Sequence, residues 1–225
     1  RLMSLSDNLA KLNRERFQAF DPQSEEGLQA VLAFNGDVYL GLRARELDKR
    51  ALGWAQNHLR ILSGLYGVLR PLDLIQPYRL EMGTRLKTKR GPDLYRFWGA
   101  RIAGQLNEAS RGARDRTLVN LASAEYFGAV DAQALEMPTV HVRFLEEKDG
   151  EARVLSFFAK RARGMMARYA IDNRIDRAEG LKAFDSGGYR FRPELSGANE
   201  WTFARPQPPP VGSTRDERSD RQELA

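Results

Sequence analysis

A short run rich in glycine carries residue types that suit the binding of a phosphate. Glycine has no Cβ, so the backbone N–H groups of a glycine turn can approach an anion closely. Arg70 follows three residues after the run and would add a positive charge. The run predicts a hairpin that holds a nucleic-acid backbone; the alternative is an ordinary turn between buried elements, because short glycine patterns are weak signals. The run consists of Ser63, Gly64, Leu65, Tyr66 and Gly67.

A second group of basic residues recurs at the helical period. Each helix residue advances by ~100°, so these side chains share one arc of a helix predicted over residues 159–175, opposite an apolar arc. Glycine inside a helix costs ~1 kcal/mol relative to alanine, which predicts that a backbone or a phosphate approaches closely there. The alternative is a solvated helix face with a glycine at a packing contact. The basic arc holds Lys160, Arg161, Arg163, Gly164, Arg168 and Arg174.

Three polar residues follow a predicted strand over residues 117–121. Asn120, Ser123 and Glu125 would lie at the carboxyl end of that strand, where α/β proteins place ligand crevices. With Lys160 and Arg163 nearby, a glutamate could act as an acid–base group in an enzyme acting on a nucleotide or another phosphorylated compound. The alternative is helix capping by Ser123 and a structural ion pair.

Two further features lie between these motifs. The alternating pattern of residues 77–83 places Arg79 and Glu81 on one strand face, either as an ion pair or in a cleft beside the hairpin. A basic stretch follows, which is either a solvated loop or part of a polyanion-binding surface. Together with Arg79, its members are Arg85, Lys87, Lys89, Arg90, Arg96 and Arg101, against the acidic Glu81 and Asp93.

The remaining patterns predict the elements that position these residues. Helices are predicted over residues 4–20, 24–34, 47–60, 93–110, 122–130 and 159–175. Strands are predicted over residues 117–121, 139–146, 152–158, 189–191 and 201–203, with Asp149 and Gly150 as a hairpin turn. Together they predict an α+β fold, a single mixed α/β domain over residues 1–205. Residues 206–225 are predicted to be a disordered, proline-rich polar tail.

Composition limits the chemistry. The 225 residues carry a formal net charge of +6, which favours a polyanionic partner, although an arginine-rich proteome would also explain it. The sequence has no cysteine, which excludes thiolate zinc sites, disulfides and cysteine nucleophiles from it. No apolar run reaches the ~18 residues of a membrane helix, so no membrane partner is expected. We predict no metal site and no cofactor, while a small-molecule ligand and the oligomeric state stay open.

Several segments together resemble one family, the YaaA peroxide-stress proteins, in chain order and over nearly all of residues 2–205. The segments are Ala33-Phe34-Asn35-Gly36-Asp37-Val38-Tyr39, residues 59–74, Gln76-Pro77-Tyr78-Arg79-Leu80-Glu81-Met82-Gly83, Asp93-Leu94-Tyr95-Arg96-Phe97-Trp98-Gly99, Asn120-Leu121-Ala122-Ser123 with Glu125-Tyr126-Phe127, and Ser156-Phe157-Phe158-Ala159-Lys160-Arg161-Ala162-Arg163-Gly164.

This resemblance implies a cytoplasmic bacterial protein that limits hydrogen-peroxide damage by keeping free intracellular iron low. It also implies binding of double-stranded DNA by a mixed fold with a positively charged cleft and a helix-hairpin-helix-like element at residues 63–71. Gly64 and Gly67 are three apart, whereas such hairpins space their glycines by two, so an atypical hairpin is expected. The family's Ser-Pro-Ala-Lys strand is not in this sequence. The residues expected to contact DNA are Ser63, Gly64, Leu65, Tyr66, Gly67, Arg70, Arg79, Lys160, Arg161, Arg163, Gly164 and Arg168.

Overall fold

One long helix, Ser156–Asp172, lies between a mixed sheet and a group of shorter helices in the computed structural model, which describes Met3 and residues 5–209. The helices are α1 (Asp7–Ala19), α2 (Ala30–Ala33), α3 (Asp37–Leu42), α4 (Lys49–His58), α5 (Leu94–Trp98), α6 (Arg101–Ala109), α7 (Ala124–Phe127) and α8 (Ser156–Asp172). The strands are β1 (Leu28–Gln29), β2 (Ile61–Ser63), β3 (Gly67–Leu69), β4 (Leu74–Ile75), β5 (Leu118–Asn120), β6 (Thr139–Lys148), β7 (Glu151–Arg153), β8 (Arg190–Phe191) and β9 (Glu200–Pro206). The predicted α+β fold is confirmed.

The main sheet is built around β6. Its order is β5-β6-β9-β8, with β7 paired to β6 as well. β6 runs parallel to β5 and β9, whereas β7 is antiparallel to β6 and β8 is antiparallel to β9. Asp149 and Gly150 join β6 to β7 with φ of 54° and 82°, the left-handed conformation that two-residue hairpin turns require. The hairpin turn predicted at these two residues is therefore confirmed.

Helix α8 is buried on two sides because small and apolar residues recur at its helical period. Ala162 and Met166 pack in a cluster that includes the sheet residue Phe144. Ile171 belongs to a second cluster, which includes Val31 of α2. A third cluster forms around α6 and the segment that contains Leu80 and Met82. The helix therefore joins the first two clusters and fixes the sheet relative to the shorter helices.

Two glycines let α3 and α8 approach backbone to backbone. A Cβ on Gly164 would overlap the carbonyl oxygen of Val38, and a Cβ on Gly41 would overlap the carbonyl oxygen of Arg161. Gly164 is therefore required by the approach of another backbone, the helix α3. Of the two explanations for a glycine inside α8, a packing contact is the one observed.

The glycine run at residues 63–67 forms the turn of a β-hairpin. Strands β2 and β3 are antiparallel, with Ser63 opposite Gly67. The Ser63 hydroxyl accepts a hydrogen bond from the Tyr66 amide (2.9 Å) and lies 2.6 Å from the Tyr78 phenol oxygen. Gly67 has a φ of 77°, which favours glycine. The expected helix-hairpin-helix element is not observed here, because the burial of β2 and β3 alternates at the period of a strand and β4 follows the hairpin.

Several predicted boundaries are wrong because tertiary contacts override local pattern. Residues 24–34 contain only the short helix α2, since Leu28 and Gln29 pair with β4. The helix predicted over residues 93–110 divides into α5 and α6 at Gly99, whose φ of 49° ends the first helix. Residues 77–83 form no strand, and residues 156–158 begin α8 instead of extending β7. The predicted tail lies outside the described residues from position 210 onward, while Pro206 belongs to β9.

The helix α8 ends earlier than predicted. Asp172 is its last residue, and Arg174 has a φ of 49°, outside the helical range. Arg174 therefore does not belong to the basic arc assigned to this helix.

We expect Gly164→Ala to destabilise the protein by about 1–3 kcal/mol, because the added methyl must push α3 and α8 apart. Gly53→Ala is the matched control: Gly53 lies in α4 with open space around its Cβ position, and alanine should stabilise that helix by about 1 kcal/mol. Urea unfolding of the three proteins measures both effects. Equal stability of the Gly164→Ala and Gly53→Ala variants would contradict the close approach of the α3 and α8 backbones at Gly164.

Ser63→Ala should cost about 2 kcal/mol, since it leaves the Tyr66 amide and the Tyr78 phenol without their buried partner. Tyr78→Phe removes only one of these two bonds and should cost less in this hydrogen-bond network. Thermal unfolding of both variants gives the comparison. A Ser63→Ala variant as stable as the parent protein would contradict the assigned network.

Candidate nucleic-acid interface

The glycine turn does not present the open amides that its sequence predicts. Gly64 and Gly67 are both buried. A Cβ on Gly64 would lie 2.5 Å from the carbonyl oxygen of Leu80, and one on Gly67 would lie 2.8 Å from the Trp98 ring. The Trp98 indole N–H also donates to the Gly64 carbonyl (3.1 Å). The prediction that these amides are exposed is wrong because neighbouring chain segments cover the turn.

The other residues of the hairpin are also engaged internally. Ser63 is fully buried, and the Tyr66 hydroxyl accepts a hydrogen bond from the Gln76 amide (3.1 Å). Leu65 is partly buried and belongs to the third apolar cluster. Arg70 is exposed, but its guanidinium lies 3.0 Å from the Asp73 carboxylate. The hairpin therefore supplies one cation to its surface, and that cation is already paired.

Arg79 and Glu81 form an ion pair, which is one of the two interpretations predicted from the sequence of residues 77–83. Arg79 Nη2 lies 3.0 Å from Glu81 Oε1, and both side chains are about half exposed. The Asn13 side chain holds this segment, because it bonds both the amide and the carbonyl of Arg79 at 3.0 Å. Asn13 is the one buried residue of α1, and its neighbours in sequence give no signal for this role.

The basic arc of α8 divides into paired and unpaired residues. Lys160 and Arg161 are exposed and form no ion pair with any residue that the structure describes. Arg168 is different: its guanidinium bonds the Asp172 carboxylate at 2.8 and 2.9 Å and the Arg43 carbonyl at 3.1 Å, and only 16% of its side chain is exposed. Arg168 therefore stabilises the junction of α8 with α3.

Arg163 lies half-buried on α8 without a carboxylate. Its Nε is buried and has no hydrogen-bond partner among the described residues, and burial lowers the pKa of its guanidinium. On the helix it lies between Ala162, which packs in the first cluster, and Ala167, which packs in the second. Leu121, just after β5, packs against both clusters. Arg163 thus lies at the boundary between the two clusters, which we call the seam, and the end of β5 lies there too.

The three polar residues at the end of β5 and just beyond it have structural partners. Asn120 bonds His141 (3.0 Å) and accepts a hydrogen bond from the Ala122 amide (2.9 Å). Ser123 caps α7 by accepting a hydrogen bond from the Tyr126 amide (3.4 Å). The capping role considered for Ser123 is therefore confirmed.

Glu125 forms no ion pair with Lys160 or Arg163. Its carboxylate instead accepts a hydrogen bond from the Gly83 amide (2.9 Å). No hydrogen bond or ion pair among the described residues joins Glu125 to either cation. The alternative of a structural ion pair with these cations is therefore not observed.

A cluster of phenols beside the hairpin was not predicted. The Phe34 ring contacts Tyr39 and Tyr78, with ring centroids 5.4 and 6.1 Å apart. Burial raises the pKa of Tyr39 and of Tyr78, and burial followed by the Glu125 carboxylate raises the pKa of Tyr126. These phenols therefore stay protonated at neutral pH. The sequence indicated this cluster only by placing one tyrosine, Tyr39, Tyr78 or Tyr126, in each of three separate motifs.

The basic stretch after residue 84 stays unpaired. Its six cations are exposed, and none forms an ion pair with a residue in the described part of the chain. Together with Lys160 and Arg161, they are positive charges available to an external anion. Among residues 3 and 5–209, no helix is long and apolar enough to cross a membrane, and no three His, Cys, Asp or Glu side chains gather as a metal site would need.

Comparison with known proteins gives the family. Proteins named UPF0246 are similar to this chain: one from Phenylobacterium zucineum is 74% identical over 216 residues, which are 96% of this chain and 81% of the relative. A relative from Caulobacter vibrioides is 72% identical over 92% of the chain and 82% of its own length, and one from Maricaulis maris is 56% identical over 94% and 80%. The model of a family described as peroxide stress protein YaaA matches residues 1–195. This chain therefore belongs to the YaaA family of peroxide stress proteins.

Proposed function

We propose that this peroxide stress protein binds double-stranded DNA in the cytoplasm, mainly through backbone phosphates, and thereby limits oxidative damage and free intracellular iron. The observation that carries the DNA part is the set of exposed cations without carboxylate partners, on α8 and in residues 85–101. The roles in iron and peroxide follow from the family resemblance.

The expected contact is to phosphates because the available residues are of one chemical type. Lysine and arginine neutralise phosphates and release counterions, which gives affinity without base recognition. Lys160 and Arg161 on α8 carry the interface in this proposal. Arg70, Arg79 and Arg168 already bond carboxylates, so each would have to exchange a partner before binding DNA.

A second candidate function is the binding of a small phosphorylated ligand or substrate near the end of β5. It is favoured by the Nε of Arg163, which is buried and unpartnered although buried polar groups are normally hydrogen-bonded. A phosphate would supply the missing acceptor. Lys160, one helical turn before Arg163, is exposed and could hold the other end of such a ligand.

The double variant Lys160→Glu/Arg161→Glu should weaken binding to duplex DNA by about tenfold or more, because two phosphate contacts become repulsive. Fluorescence anisotropy with a labelled duplex at fixed low salt measures the change. Lys11→Glu/Arg14→Glu on α1 is the matched control, since it removes the same charge from another exposed helix. If the control weakens binding equally, total charge rather than α8 determines the affinity.

Arg163→Met should raise the urea midpoint of the free protein, because it removes a half-buried charge that has no partner. In the second candidate function, adenosine monophosphate raises the midpoint of the parent protein and fails to raise that of Arg163→Met. The same shift in both proteins would exclude Arg163 from such a site.

A further inference from the structure

One short segment of this chain carries a large excess of positive charge. Residues 85–101 contain six lysines and arginines and a single carboxylate, Asp93, while the whole sequence has a formal net charge of +6. Asp93 is engaged as the cap of α5, where it accepts a hydrogen bond from the Arg96 amide (2.8 Å). The segment therefore holds a local excess of positive charge that the described part of the protein does not neutralise.

Two of these arginines are ordered by one aromatic ring. The Arg90 guanidinium carbon lies 5.1 Å from the centroid of the Phe97 ring, and that of Arg101 lies 5.9 Å from it. Arg101 also donates from Nη1 to the carbonyl oxygens of Phe97 and, at 3.3 Å, of Trp98. A guanidinium that rests on a ring keeps its edge donors free for a bidentate partner, as at Arg90, whereas Arg101 already uses Nη1 on the backbone.

A tight turn brings the third arginine beside them. The Thr88 amide donates to the Gly91 carbonyl (2.8 Å), and the Arg90 amide donates to the Thr88 hydroxyl (3.1 Å). Gly91 has a φ of 156°, and a Cβ there would overlap the Cβ of Arg96. Glycine at this position thus lets the loop pack directly on the helix that carries Arg96.

These residues surround an open cavity of about 580 Å³. Its lining consists of Arg90, Arg96, Trp98, Gly99, Ala100 and Arg101, and includes no carboxylate. Helix α6 begins at this wall, where Ala100 offers no side-chain cap to the first amides. The cavity is widely open to solvent, and every charged group that lines it is a cation.

We propose that Arg90, Arg96 and Arg101, ordered by Phe97, form a site for consecutive phosphoryl groups, of a free oligophosphate or of a DNA strand. Three guanidiniums without a carboxylate repel one another in the empty protein, and a multiply charged phosphoryl ligand relieves that repulsion while it accepts bidentate hydrogen bonds. Because Phe97 and the backbone already order two of the arginines, binding costs less side-chain entropy. This inference deepens the proposed function, on which its DNA case rests, and it does not depend on Lys160 or Arg161.

Calorimetric titration with inorganic triphosphate at low salt tests the site. Arg90→Gln and Arg96→Gln should each weaken binding about fivefold or more, whereas Arg85→Gln, an equal loss of charge outside the cavity lining, should change it less than twofold. Phe97→Leu keeps every charge and should still weaken binding about threefold, because the two guanidiniums lose their platform. Circular dichroism confirms that each variant is folded.

Three results would overturn the site: no triphosphate binding by the parent protein, an Arg85→Gln variant as weak as Arg96→Gln, or a folded Phe97→Leu variant with unchanged affinity. A duplex added in competition identifies the source of the phosphates. Displacement of triphosphate assigns the site to DNA, and retention of triphosphate assigns it to a free oligophosphate. Failure of DNA binding by α8 would leave the triphosphate results unchanged, so the two proposals are tested separately.

Discussion

The close approach of the α3 and α8 backbones at Gly41 and Gly164 determines where the charged groups of α8 lie. Because neither residue has a Cβ, the two helix backbones touch, and α8 is held against both apolar clusters. That position turns Arg163 toward the seam beside β5 and leaves Lys160 and Arg161 exposed. A side chain at either glycine would move α8 and with it every cation that the helix carries.

Pairing with carboxylates, rather than the number of basic residues, determines which cations can bind an external anion. Arg70, Arg79 and Arg168 each lie within 3.0 Å of a carboxylate oxygen, and those pairs stabilise local structure. Exposed ion pairs of this kind contribute little, about 0–1 kcal/mol, so a phosphate could compete for Arg70 or Arg79. Arg168 is mostly buried and also bonds a backbone carbonyl, which makes such an exchange costly.

The sequence was sufficient where local chemistry decides the structure. The turn at Asp149 and Gly150, the cap at Ser123 and the ion pair of Arg79 with Glu81 all follow from neighbouring residues. It was insufficient where distant segments meet. Nothing in the sequence near Gly64 indicates that the carbonyl of Leu80 covers it. Glu46, which follows α3 and accepts a hydrogen bond from Arg168, lies 122 positions away in the sequence.

The same limit explains why the sequence alone does not show which cations of the two basic segments are unpaired. The helical pattern of residues 159–175 is clear, but a helical wheel does not show that Arg168 is paired or that Gly164 contacts α3. The loop at residues 85–90 has no periodicity, and only the folded chain shows its Arg90 beside Phe97, in a cavity lining that it shares with Arg96 and Arg101 and that has no carboxylate.

The salt dependence of duplex DNA binding by the parent protein is the decisive measurement of whether its unpaired cations bind phosphates. If unpaired cations bind backbone phosphates, the logarithm of the association constant falls linearly with the logarithm of salt concentration, by about 0.9 for each phosphate neutralised. Affinity that does not change with salt, or no binding at the lowest salt, would contradict this account.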